Sequence, residues 1–93
     1  MRIEFVSPEN EIDPENDNVD VVVRLDDGRA FGLLVATPNN IYRCMDGEQI
    51  DYYFGVPPVF VRRLTRQVVK DAVIALLDRP EWLEVYGSVQ DAD

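Results

Sequence analysis

The residues best equipped for chemistry are acids. Glu9, Glu11, Asp13, Glu15 and Asp17 alternate with other residues in the stretch PENEIDPENDN, positions 8 to 18, and calcium loops also present oxygen side chains two residues apart. The match stops there. Counted from Asp13, the sixth position is Asn18, where a glycine is needed for the sharp turn, and the twelfth is Arg24, where a glutamate should close the coordination shell. A second group, Asp46, Glu48 and Asp51, lies beside Tyr52 and Tyr53, and paired carboxylates can serve a hydrolase. In a chain with 18 acids such clusters arise freely, so the spacing carries no specificity. There is no histidine, which removes the most common general base and imidazole ligand, and the sole cysteine, Cys44, has no imidazole to activate it. The expectation is a protein that is not an enzyme, with no catalytic residue, no cofactor and no metal site.

Charge points instead to docking. The 18 acids outnumber the 9 bases to give a net charge of -9, which repels nucleic acid and anionic membranes alike. Residues 1 to 27 hold nine acids and two bases, whereas residues 28 to 64 hold three acids and four bases. Such an acidic lobe can steer a basic protein toward it, and it also serves solubility alone; the sequence leaves both open. Arg62, Arg63, Arg66 and Lys70 form the one basic cluster and are expected to pair with acids of the same chain. Tyr52, Tyr53 and Phe54 are either interface anchors or core residues, because small domains need aromatics for both. The candidate partner-binding residues are therefore Glu9, Glu11, Asp13, Glu15, Asp17, Tyr52, Tyr53 and Phe54.

The 93 residues suit a single domain. A lone cysteine permits no internal disulfide, no apolar run approaches the roughly 20 residues that span a bilayer, and the first residues lack the apolar run of a signal peptide. A cytoplasmic protein is expected, as monomer or homodimer. Arg2 to Val6 reads as a short strand burying Ile3 and Phe5, followed by an exposed acidic loop pinned by Ile12. Val19 to Leu25 and Arg29 to Ala36 form a hairpin around Asp26-Asp27-Gly28, with Val19, Val21, Val23 and Leu25 facing the core. Thr37 and Pro38 open a short helix, Asn39 to Met45, stopped by Asp46-Gly47. After the aromatics and Pro57-Pro58, Val59 to Leu64 resumes as a strand. Thr65 starts the main amphipathic helix, Arg66 to Leu77, bounded by Pro80, and Glu81 to Gly87 makes a turn or short helix closing the core with Trp82, Leu83, Val85 and Tyr86. Ser88 to Asp93 is expected to be a loose tail. The fold class is α+β: a small antiparallel sheet of about four strands packed on one main helix, with a second short helix at its edge.

The run from Phe5 to Arg29, FVSPENEIDPENDNVDVVVRLDDGR, followed by Thr37 to Ile41 and by the block from Tyr52 to Thr65 ahead of an amphipathic helix, resembles a family of short, acidic, functionally uncharacterised bacterial proteins associated with toxin-immunity loci. The resemblance covers most of the chain, and the repeated Pro-Glu-Asn is its most specific part. The stretch between Ile41 and the aromatic block is shorter here than in that family. The resemblance implies an immunity-type binding protein that masks a basic surface on a toxin or other enzyme. The alternative is a self-associating accessory homodimer that pairs through a bare strand edge at Val19 to Leu25.

Overall fold

The computed structural model describes residues 1–55 and 57–90 and has an α+β architecture. In chain order the elements are β1 (Arg2–Phe5), β2 (Asn18–Arg24), β3 (Ala30–Ala36), α1 (Pro38–Glu48), β4 (Val59–Phe60), α2 (Arg66–Leu77), α3 (Pro80–Tyr86) and β5 (Gly87–Gln90). The sheet runs β1-β2-β3, antiparallel throughout, and the far side of β3 is shared by two short strands. β5 pairs antiparallel with Ala30 to Leu33, and β4 pairs parallel with Val35 and Ala36.

Alternation along β2 and β3 decides which face is buried. Val19, Val21 and Val23 stand opposite Val35, Leu33 and Phe31, and all six are buried. Ile3 and Phe5 extend the same face on β1. α2 covers it with Val69, Val73 and Leu76, one side of a helix at three- and four-residue spacing. The Thr65 hydroxyl caps α2 by accepting the Val68 N–H at 3.3 Å. Ile12 packs on this core from the acidic loop, as its isolation among polar residues predicts. At the hairpin tip Gly28 takes φ +92°, and Leu25 and Arg29 close the turn through a 2.8 Å bond from the Leu25 N–H to the Arg29 carbonyl.

Several expectations need correction. β2 is flanked on both sides, so Val19 to Leu25 is no free edge and offers no route to a homodimer. Only Val59 and Phe60 of the expected strand to Leu64 pair, and they do so in parallel. α1 does not stop at Asp46-Gly47. A helix tolerates one glycine at a cost of about 1 kcal/mol, and the stop comes two residues later, where Gln49 takes a left-handed φ of 59°. The Gln49 N–H bonds Asp46 and the Ile50 N–H bonds Met45 at 3.0 Å, a Schellman closure with glutamine where glycine is usual. Thr37 precedes α1 without capping it by its side chain. Its buried hydroxyl instead accepts the Asp17 N–H at 3.3 Å, fixing the end of the acidic loop to the end of β3. Ser88 to Gln90, expected in a loose tail, belong to β5; positions 91 to 93 of that tail lie outside the described residues.

Candidate functional site

The five acids of the loop do not form a single outward-facing array. Glu9 opens a three-residue 3-10 turn and receives both Nε and Nη2 of Arg66, an ion pair that holds its carboxyl below the usual glutamate range and raises the Arg66 guanidinium. Arg66 also donates Nη1 to the Ile3 carbonyl at 3.2 Å and lies 4.8 Å over the Phe5 ring, so one arginine of α2 joins loop and β1. Glu15 pairs with Arg63 at 3.0 Å. The cluster that the sequence assigned to pairing at home does so through these two arginines. Asp13 accepts the Glu15 N–H and Asp17 accepts the Asp13 N–H, each at 3.0 Å, so both carboxylates shape the loop backbone. The Pro14 carbonyl then receives the Leu64 N–H at 2.8 Å. Of the five acids Glu11 alone has a side chain in no such bond among the described residues, and it is exposed.

The aromatic block behaves differently. Tyr52, Tyr53 and Phe54 lie outside any helix or strand, between α1 and β4, and are 59%, 40% and 84% exposed. Those values decide against the core reading. Tyr52 and Phe54 stack on each other, centroids 5.8 Å apart and planes 5° from parallel, and so form one exposed aromatic unit, the aromatic plate. Tyr42 of α1 is also exposed, and the acids Asp46, Glu48 and Asp51 come just before the plate in the chain. Cys44 is half-buried on α1 beside Asn40, with its Sγ 3.8 Å from the Asn40 Oδ1.

A third feature escaped the sequence. Val59, Phe60, Ala72, Ala75, Leu76, Arg79, Trp82 and Tyr86 line, with Pro58, a groove of about 510 Å³ where β4, α2 and α3 meet. Leu83 and Tyr86 of α3 close the core as expected, but Trp82 and Val85 are largely exposed. Trp82 stacks on Tyr86 one turn along α3 at 6.3 Å and forms a groove wall. The signal was present as small residues at Ala72 and Ala75, which leave a trough on α2, next to an aromatic pair four residues apart.

Among the described residues no group of three or more histidine, cysteine, aspartate or glutamate side chains is placed to hold a metal ion, and no helix is long and apolar enough to cross a membrane. No family model, curated protein or solved structure matches this chain. The geometry supports docking surfaces: an aromatic plate beside acids, and an apolar groove with one cation.

Proposed function

We propose that this chain is a protein-binding module of the immunity type, which covers a basic surface on a toxin or other enzyme. The aromatic plate supplies the anchor and the surrounding negative charge guides the approach. One observation carries the reading: three consecutive aromatics are exposed and none of them belongs to the hydrophobic core cluster. Burial of such side chains is worth roughly 1.5 to 3 kcal/mol each, and in this fold that gain is available only on contact with another surface. Tyrosine is enriched at interface hot spots, which a polar rim surrounds. The net charge of -9 selects for a basic partner.

The test is capture from cells of the source organism with the unaltered chain and with a Tyr52→Ala, Phe54→Ala variant, followed by elution with rising salt. A basic protein held by the first, released by salt and not held by the second is the expected result. Equal retention of that protein by both chains would remove the plate from the interface, and retention of nucleic acid would overturn the reading altogether.

A further inference from the structure

We infer that the groove between β4 and α3 is a second, separate docking site, and that its occupant is the extended carboxy terminus of a peptide with apolar final residues. Three observations converge on that chemistry. The first is the lining, in which eight of nine residues are apolar or aromatic, so the groove takes hydrophobic side chains. The second is Arg79, the only charged side chain in the lining, which among the described residues takes part in no ion pair. A guanidinium is an apt partner for a carboxylate because its paired N–H groups match both oxygens.

The third is the backbone of β4. Val61 donates its N–H to the Ala36 carbonyl at 2.9 Å in the parallel pairing that sets Phe60 opposite Ala36. In a parallel pair the residues along a strand direct their N–H and C=O alternately toward the partner and away from it. The bonds of Val59 and Val61 therefore go to β3, and Phe60 turns its N–H and C=O outward. Among the described strands none but β3 pairs with β4, so no described strand takes up this outer edge. A strand edge beside apolar side-chain pockets, with a cation for the terminus, is the arrangement by which an added peptide strand is held.

The same facts argue against a free small molecule. Trp82 is 44% exposed and Phe60 55% exposed, so the groove cannot enclose most of a small ligand's surface, and a fatty acid would leave the Phe60 amide and carbonyl unused. The net charge of -9 opposes acidic peptides, so the terminal carboxylate is expected to be the ligand's only negative charge.

Trp82 is the sole tryptophan and lines the groove, which makes its emission a direct reporter. The experiment titrates the full chain with acetylated tetrapeptides ending in valine, leucine, isoleucine or phenylalanine, each prepared as free acid and as amide. At least one free acid should give a saturable shift in emission, its amide should bind about tenfold more weakly, and Arg79→Gln should bring the two to similar affinity. Phe54→Ala should leave all of this unchanged, which separates the groove from the aromatic plate. No saturable shift with any free acid up to millimolar concentration would overturn the inference, as would equal binding of acid and amide. Dodecanoate binding as tightly as the best peptide, with the same dependence on Arg79, would reassign the groove to a lipid and overturn it too.

Discussion

The acidic loop and the aromatic block both connect regular elements, β1 to β2 and α1 to β4, yet the fold treats them in opposite ways. Loop residues Glu9 and Glu15 are drawn onto Arg66 and Arg63, Asp13 and Asp17 onto backbone N–H groups, and Ile12 into the core. Tyr52 and Phe54 stack on each other and stay 59% and 84% exposed. Charge is easily satisfied within one chain because counter-charges are long and mobile. Apolar area is satisfied only by a matching apolar surface, and the buried cluster of this fold does not include these aromatics. The difference teaches that the most conspicuous sequence feature, the run of acids, is largely an internal fastening, and that the aromatic block is the segment left exposed, which is why the proposed function places the anchor there.

The most severe test of that contrast compares stability. Val69 is completely buried under the sheet, and Val69→Ala should cost about 2 kcal/mol in urea denaturation. Phe54→Ala should change stability by less than about 0.5 kcal/mol while weakening the partner complex about tenfold or more. A Phe54→Ala chain that melts like Val69→Ala would place the plate in the core and end the comparison.

Acid sharpens it next. Arg24 holds Glu4, and Arg66 holds Glu9, below the usual carboxyl range, and the Arg29 backbone N–H does the same for Asp27. Groups whose folded value is depressed add stability above the unfolded value, near pH 4.3 for glutamate, and lose it as pH falls through the folded value. The melting temperature should be level from pH 7 to about 5 and fall below that. Glu9→Gln should remove part of the fall, and an unchanged profile would show that the Arg66 pair does not hold the loop in solution. The smallest effect concerns steering. Glu11→Lys should slow association with the basic partner about two-fold at low salt and leave dissociation unaltered, as measured by stopped flow. A change confined to dissociation would put Glu11 inside the interface.

Much of the fold was legible because it follows period and punctuation. The valine alternation of β2, the Asp-Asp-Gly tip and the bounds of α2 all stand in the sequence, since one face of each had to be buried. What was not legible depended on tertiary geometry. Gln49 in a left-handed conformation has no sequence signature, so α1 was expected to end at a glycine it runs through. β5 follows directly on Tyr86 in a segment that reads as tail, and only the vacancy beside Ala30 to Leu33 makes it a strand. Of the candidate site residues, the aromatics were recognised but their exposure could not be decided, because aromatic content is the same in a core and in an interface. The home pairing of Glu9 across 57 positions to Arg66 was foreseeable in kind but not in partner. For the groove, Ala72, Ala75 and the Trp82–Tyr86 pair stand in the sequence, but that they meet β4 depends on the approach of three elements, which no local pattern encodes.

Arg66 has one more effect, on how the molecule keeps company with copies of itself. Its guanidinium occupies the outward carbonyl of Ile3 and lies across Phe5, so the flank of β1 that would template another chain is already occupied by a cation. A cation on a strand edge disfavours pairing with a further strand there. Two copies of the chain are thereby discouraged from joining edge to edge through β1.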